Sequence, residues 1–481
     1  MRFCSVTLGC KVNQYETQAM ENILSSRGHT LVKAGDGCDV CIVNTCAVTS
    51  ESSRKSRQAA RRVRKLEPGA LIAVCGCLTE LEYGAPERFG ADIIGGSGNR
   101  QAFALEIERM YLQHLRRLHG DVLAADAVVA SSTAYLADAD ITADTEDAAD
   151  ADTVDAAGTV VSASRRYFEQ LPPGSAAGRT RALLKIQDGC DNFCAYCVIP
   201  YVRGRVRSLP PQKAAEYARR LEGQGFREIV VTGIEISSYG KDLQDGVSLP
   251  DAAAMIGEAA PNARIRLGSL DPGTVDAAFC GAMASIPNIC GHFHLSLQSG
   301  CDDTLLRMGR KYDTAAAQEA VALLRARFPD CGITADLITG FPGETDAEFA
   351  RTMEFITAAE FSDMHIFPFS PRPGTRAAVM PDQVEKEVRR ERARIASRAA
   401  EDMAGAFKRS LTGKKLRVLF ERELNGAVLG HSDNYVEVAV RTPAWGGGAL
   451  FDSGAGSSMR NTIHTVQISS VEDGVVWAEI V

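Results

Sequence analysis

Three cysteines within eight residues, Cys190, Cys194 and Cys197 in DGCDNFCAYCVIPYVRG, constrain this chain more than any other feature. Their C-x3-C-x2-C spacing follows a strand-like run, ALLKIQ, so three thiols share one short loop at a strand's carboxyl end. Thiolates so placed suit three irons of a cubane cluster, because soft sulfur donors favour iron–sulfur ligation. The fourth iron then lacks a protein ligand, and an open position on a metal is where a small molecule binds. Zinc is the rival reading, but it takes four ligands in paired C-x2-C units, and no second pair lies near. Three incidental core cysteines are the remaining alternative.

The surroundings of that loop predict a barrel. Between 180 and 370 six strand-like runs (ALLKIQ, EIVVTGI, IRLGSL, HFHLSLQ, ITADLITG and DMHIFPF) alternate with helical stretches such as PQKAAEYARRLEGQG. Repeated β–α units of this length make a parallel barrel, and six are too few for eight-fold closure, so an open (β/α)6 arrangement is expected. TGIEISSYG, LSLQSG and ITGFPGE place Gly and polar residues just after strands, at the face where barrel active sites are built. Glu235, Gln298 and Asp336 are therefore candidate cofactor or substrate contacts, although Gly after a strand is by itself only a turn signal.

A second set of cysteines lies upstream. The first ~115 residues read as a parallel α/β unit, with strands FCSVTLGC, DVCIVNTC and LIAVCGC separated by two helical stretches. Cys10, Cys46 and Cys77 fall at the carboxyl ends of those strands, the edge where open parallel sheets bind ligands. They again offer three sulfurs and one open iron; buried structural cysteines are the alternative. On a continuous strand Cys75 would point the same way as Cys77, so geometry leaves that choice open. Cys4, Cys38, Cys41, Cys280, Cys290, Cys301 and Cys331 read as structural.

Charge is distributed unevenly. The chain carries 53 Lys and Arg against 61 Asp and Glu, yet residues 118–164 hold ten of those acids and no base. Outside this Ala- and Asp-rich connector the balance turns slightly positive, so a nucleic-acid partner stays open. Arg54, Lys55, Arg57, Arg61, Arg62, Arg64 and Lys65 crowd one predicted helix, a density that suits phosphate contact. A solvated helix face is the plainer reading. The helix predicted over 381–410 interleaves its arginines with Glu and reads as solvated. The last ~70 residues read as a small antiparallel β-barrel, whose aromatics Tyr435, Trp445, Phe451 and Trp477 suit core or rim. Fourteen cysteines without an export signal or an 18-residue apolar run predict reduced thiols, a cytoplasmic location and no membrane span.

Taken together, TLGCKVNQYET, VNTCAVTSESSRKSRQ, VCGCLTE, DGCDNFCAYC, LSLQSG, GFPGET and PFSPRPGT resemble the radical S-adenosylmethionine methylthiotransferases. That resemblance covers nearly all of the chain except the connector. It implies an N-terminal cluster domain (1–117), the connector (118–175), a radical SAM core (176–408) and a TRAM barrel (410–481). It further implies two [4Fe–4S] clusters: a radical SAM cluster on Cys190, Cys194 and Cys197, and an auxiliary one on Cys10, Cys46 and Cys77. The family motif places the third auxiliary ligand directly before Leu78-Thr79-Glu80, which selects Cys77. Tyr196 sits at a position often aromatic in the family and joins Glu235, Gln298 and Asp336 as a cofactor-binding candidate.

Lys11-Val12-Asn13-Gln14-Tyr15-Glu16 resembles the branch that acts on N6-threonylcarbamoyladenosine beside the tRNA anticodon. The implied reaction inserts a methylthio group at C2 of that base, with S-adenosyl-L-methionine supplying methyl and radical, and an electron donor of unidentified nature. The alternatives are the same chemistry on isopentenyladenosine tRNA or on a ribosomal-protein aspartate. A non-catalytic RNA-binding or iron-carrying protein is the reading from another class, and the intact cysteine triplet speaks against it. Oligomeric state has no signal in the sequence.

Overall fold

The computed structural model describes residues 1–82, 86–119, 159–160, 167–173, 179–441 and 459–481. The chain divides into two compact units. Residues 1–175 with 188–191 and 197–207 make the first, and residues 176–187, 192–196 and 208–481 the second.

In the first unit six parallel strands form one sheet, ordered Thr30–Leu31, Arg2–Thr7, Val40–Thr45, Leu71–Gly76, Ile93–Gly95 and Thr159–Val160. Val40–Thr45 is buried throughout, as a strand covered on both faces by helices must be. Helices Lys11–Ser26, Ser50–Leu66 and Arg100–His119 supply that cover, and Thr49 with Ser52 closes a capping box on the second.

Three expectations change here. The first strand ends at Thr7 rather than at Cys10, which instead caps helix Lys11–Ser26. Gly9, at φ +103°, makes that turn. Cys77 likewise opens a short helix, Cys77–Leu81, because Gly76 at φ +113° breaks the strand. The carboxyl end of the predicted solvated connector packs on the unit. Leu171 is fully buried, its carbonyl accepts from Tyr15 Oη at 2.6 Å, and the Glu169 carboxylate accepts from Gln101 N–H at 3.0 Å. The rest of the connector lies largely outside the described residues.

The second unit carries the parallel arrangement, with the six expected runs forming seven strands in two sheets. Arg181–Lys185, Glu228–Thr232 and Arg264–Leu267 form one sheet; Ser269–Leu270, His292–Gln298, Gly332–Thr339 and Asp363–Pro368 form the next. The run read as one strand, IRLGSL, is thus split at Gly268, its halves pairing on opposite sides. After the helix Lys386–Ser410 comes a closed five-stranded barrel: Lys415–Leu424, Ala427–Ser432, Glu437–Arg441, Ile463–Glu472 and Val475–Ile480. Sequence reading missed Ala427–Ser432, although Asn425-Gly426 before it is a strong hairpin signal. One of the five pairings, Glu437–Arg441 with Val475–Ile480, is parallel, so the barrel is not wholly antiparallel. Among the described residues no helix is long and apolar enough to cross a membrane.

Candidate functional site

Cys10, Cys46 and Cys77 lie at the carboxyl edge of the first unit's sheet, and two turns fix their positions. A Cβ on Gly9 would stand 2.9 Å from Cys46 Cβ and 3.0 Å from its sulfur, so the Cys10 turn presses directly on Cys46. Asn13, one helical turn past Cys10, donates to the carbonyls of Leu8 at 2.8 Å and Thr45 at 2.9 Å, joining both strand ends. Cys46 N–H donates to Ser56 Oγ at 3.1 Å.

The Gly76 turn separates Cys75 from Cys77. Cys75 packs with Phe3, Met20 and Phe103, whereas Cys77 packs with Val74, Leu78, Val198 and Val202 in another cluster. The two thiols therefore do not point the same way, and Cys77 is the one on the side of Cys10 and Cys46. Burial pushes the Cys77 and Cys46 thiols up, and the Arg203 guanidinium opposes that rise.

Arg203 was not anticipated from the sequence. It is 1% exposed, and its Nε donates to Cys77 Sγ at 3.4 Å. Its remaining nitrogens donate to Glu16 at 2.5 and 3.1 Å, to Asn13 Oδ1 at 2.8 Å and to Asp188 at 3.4 Å. Glu16 is shared with the fully buried Arg100 at 3.2 Å, and Asp188 with Arg207 at 3.6 Å. Three guanidiniums thus face two carboxylates, leaving positive charge beside Cys77, as a group of thiolates requires. Helical spacing from Cys10 could have flagged Asn13; nothing local to residue 203 signals its partner 126 positions away.

Arg203 ends helix Ile199–Arg203, which starts two residues after Cys197 and packs through Val198 and Val202 onto the cluster containing Cys77. Cys190 and Cys197 accordingly belong to the same compact unit as Cys10, Cys46 and Cys77. Cys190 N–H donates to the Gly204 carbonyl at 3.0 Å, and Cys197 Sγ accepts from Ile199 N–H at 3.4 Å.

Cys194 belongs to the second unit, where Arg310 Nη1 donates to its sulfur at 3.3 Å. The same guanidinium donates to Asp271 at 2.9 Å and to Tyr312 Oη at 3.2 Å. Ala195 is held between Met308 and Ala377 by two backbone hydrogen bonds of 2.8 Å. Tyr196 meets Phe341 edge-on, with ring centroids 6.4 Å apart. Gln298 ends its strand at φ +65°, a strained backbone of the kind found at ligand sites. Glu235 follows Glu228–Thr232 and accepts from Ser237 N–H at 3.2 Å; burial and the nearby Asp271 raise it to about 7. Asp336 lies between His294 and His365, 3.2 Å from each, and these imidazoles hold its carboxyl well below the usual range. Its direct partners are therefore histidines.

The basic helix Ser50–Leu66 is partly neutralised. Arg54 pairs with Glu51 at 2.8 Å, Arg57 with Glu82, and Arg64 with Asp92 at 2.5 Å. Arg61, Arg62 and Lys65 are exposed and have no acid within ion-pair distance among the described residues. In the C-terminal barrel Tyr435 stacks on His292 at 4.7 Å and His431 at 5.0 Å, with the Arg266 guanidinium 4.8 Å over its ring. Its ring is thus spent on packing. Arg441 covers Trp477 at 4.2 Å, and Trp445 and Phe451 lie outside the described residues.

Comparison with known proteins bears on both cysteine sets. Residues 184–356 match the model of the radical SAM superfamily, and residues 2–91 match the uncharacterized protein family UPF0004. The chain is 34% identical over 433 residues to the threonylcarbamoyladenosine tRNA methylthiotransferase MtaB of Thermotoga maritima, covering 90% of this chain and 89% of that one. The MtaB of Bacillus subtilis is 31% identical, with 90% and 89% covered. A tRNA-2-methylthio-N(6)-dimethylallyladenosine synthase of Moorella thermoacetica is 30% identical, with 87% of each chain covered. Among solved structures, the radical S-adenosylmethionine methyltransferase TsrM of Kitasatospora setae superposes with TM-score 0.53 at 13% identity. That match covers 79% of this chain and 75% of TsrM and speaks to the fold alone.

Proposed function

This chain belongs to the radical S-adenosylmethionine methylthiotransferases, and on that footing we propose that it methylthiolates C2 of N6-threonylcarbamoyladenosine beside the anticodon of tRNA. Relatives named for that substrate, at 31–34% identity over nine-tenths of the chain, support the threonylcarbamoyladenosine branch over its isopentenyladenosine counterpart. Two cluster sites are part of the reading: Cys190, Cys194 and Cys197 for the radical SAM cluster, and Cys10, Cys46 and Cys77 for the auxiliary one.

Donor chemistry is the test of fit. Each set offers three thiols with no competing imidazole, and cationic side chains, Arg203 and Arg310, touch one sulfur in each. The observation that carries the two-cluster reading is helix Ile199–Arg203, which runs from beside Cys197 to the Cys77 sulfur within one compact unit.

When loaded, such clusters supply one-electron cleavage of S-adenosylmethionine and sulfur for transfer. A carbon-bound hydrogen at C2 of adenine is neither acidic nor electrophilic, so the protein has no acid–base role to play there. Its residues bind, orient and shield. Arg203 and Arg310 set the charge around the sulfurs, while Tyr196, Glu235 and Gln298 are proposed to bind the cofactor. Asp336, held by two histidines, is proposed to act through them. Arg61, Arg62 and Lys65 are proposed to meet tRNA phosphates; Arg54, Lys55 and Arg57, expected to do so as well, each have an acid within 4 Å. An external donor supplies electrons, and the reaction takes place in the cytoplasm. The domain limits are 1–117, 118–175, 176–408 and 410–481.

Nucleoside mass spectrometry on a deletion strain tests the substrate. Loss of the 2-methylthio mark on threonylcarbamoyladenosine, with that on isopentenyladenosine intact, is the expected result, and the reverse pattern reassigns the branch.

A further inference from the structure

Three cysteines that the cluster assignments leave unused converge within the first unit. Cys4 and Cys41 are register partners on the adjacent parallel strands Arg2–Thr7 and Val40–Thr45, with their sulfurs 3.1 Å apart. Cys38 Sγ lies 3.2 Å from Cys41 Sγ and 3.7 Å from Cys4 Sγ. Cys4 and Cys41 are 1% and 0% exposed, and Cys38 is half-buried at the rim. Cys41 is five residues from Cys46, ~16 Å along an extended chain, so this trio is separate from the auxiliary set.

The arrangement is built rather than incidental. Cys38-x2-Cys41 is the ligand pair spacing of single-ion thiolate sites. The loop carrying Cys38 is pinned by Glu67, just past helix Ser50–Leu66, whose carboxylate accepts from the N–H groups of Gly35 at 2.8 Å, Gly37 at 3.1 Å and Cys38 at 3.3 Å. Arg2 Nη2 donates to the Asp36 carbonyl at 2.9 Å and holds the same loop from the other side. Asp39 N–H also donates to the Arg2 carbonyl at 2.8 Å, so both flanks of Cys38 are tied down before any ligand arrives.

Size decides what such a site takes. With metal–sulfur bonds of about 2.3 Å, tetrahedral geometry sets sulfurs ~3.8 Å apart. The observed separations of 3.1, 3.2 and 3.7 Å all fall below that value and reach it by side-chain openings of under about 1 Å. A cubane distributes its thiolates over separate irons and needs a wider triangle. We propose that Cys4, Cys38 and Cys41 bind one thiophilic divalent cation, Zn2+, with solvent at the fourth position on the Cys38 side. Binding releases to solvent the protons of those thiols that are not already ionised, and no electrons move. The ion would fasten the 33–39 loop to the sheet.

The test uses the full-length chain, purified and cluster-loaded without oxygen, with zinc and iron measured together by mass spectrometry. About one zinc per chain is expected, and Cys38→Ser should lower it at least tenfold while iron stays unchanged; Cys331→Ala, remote from the trio, should change neither. Zinc that persists in Cys38→Ser, or zinc absent from the wild-type chain after incubation with Zn2+ and desalting, overturns the proposal. So does a Cys38–Cys41 disulfide in the freshly isolated protein. Should Cys38→Ser fail to fold, Co2+ loading of the wild-type chain decides: a thiolate-to-cobalt charge-transfer band displaced by one equivalent of Zn2+ supports the site, and its absence refutes it. Because iron is read separately, failure here leaves the two-cluster reading untouched.

Discussion

At Cys77 a buried thiol, a guanidinium and a carboxylate meet, and the chemistry of the first unit turns on that contact. Replacing Cys77 by Ala should abolish methylthiolation and bring iron down from about eight to about four per chain. Cys75→Ala, two positions away on the opposite side of the sheet, should leave both nearly unchanged. Nucleoside mass spectrometry and iron analysis on the two variants check the pair. Glu235 gives a second residue-level prediction, through pH. Below its ordinary value of 4.5 the carboxyl is protonated in both folded and unfolded chains, and no stability is at stake. Between 4.5 and about 7 the unfolded carboxyl ionises while the folded one resists, so stability falls as pH rises across that window. The loss amounts to at most about 3 kcal/mol. Urea unfolding of the metal-free chain at pH 5 and pH 8 should show that difference shrinking in Glu235→Gln.

Helix Ser50–Leu66 illustrates how an element is divided between structure and function. Its arginines at 54, 57 and 64 are taken up by Glu51, Glu82 and Asp92, two of which come from outside the helix. What remains at Arg61, Arg62 and Lys65 is an exposed patch with no acid in reach among the described residues. If that patch meets phosphate, Arg61→Gln with Arg62→Gln should weaken tRNA binding uniformly across tRNA sequences. The slope of log K against log salt should fall by about 2. Filter binding over a salt series measures it, and an unchanged slope assigns the patch to solvation alone. Iron content should not move, because neither side chain reaches a cysteine.

Within the second unit, a buried ion network joins the C-terminal barrel to the larger parallel arrangement. Glu228, fully buried, accepts from Arg264 at 2.5 Å and from Arg266 at 2.9 Å, which hold its carboxyl far below the usual range. Those same arginines reach across to the barrel. Arg264 donates to Asp433 at 3.0 Å and to the His431 carbonyl at 2.8 Å, and Arg266 to the carbonyls of Asp433 and Ser432 at 2.9 and 3.1 Å. Removing the acid strands two buried cations, which costs about 3–5 kcal/mol. Glu228→Ala should therefore lower the stability of barrel and core together, seen as one shifted transition in thermal unfolding. A barrel that melts separately, with the core unaffected, contradicts this coupling. Asp433 of the barrel is thus consumed in holding it in place.

The sequence by itself determined most of the order of strands and helices, the two cysteine triplets and the chemistry they point to. Those features rest on local rules: apolar runs between Gly and Asp, helical periodicity, and thiols at fixed spacing on one loop. It also carries the Asn425-Gly426 hairpin signal ahead of Ala427–Ser432. The family motif selects Cys77 over Cys75, but only the tertiary structure supplies the physical reason: a single backbone angle at Gly76 reverses the alternation that a strand would impose. It alone brought Arg203 onto Cys77, Glu228 under two arginines, and Cys4 against Cys38 and Cys41. Each of these contacts joins residues far apart in the chain or on different elements. Burial makes them strong, by removing the water that would otherwise compete, and burial is a property of the folded packing rather than of any local stretch of residues.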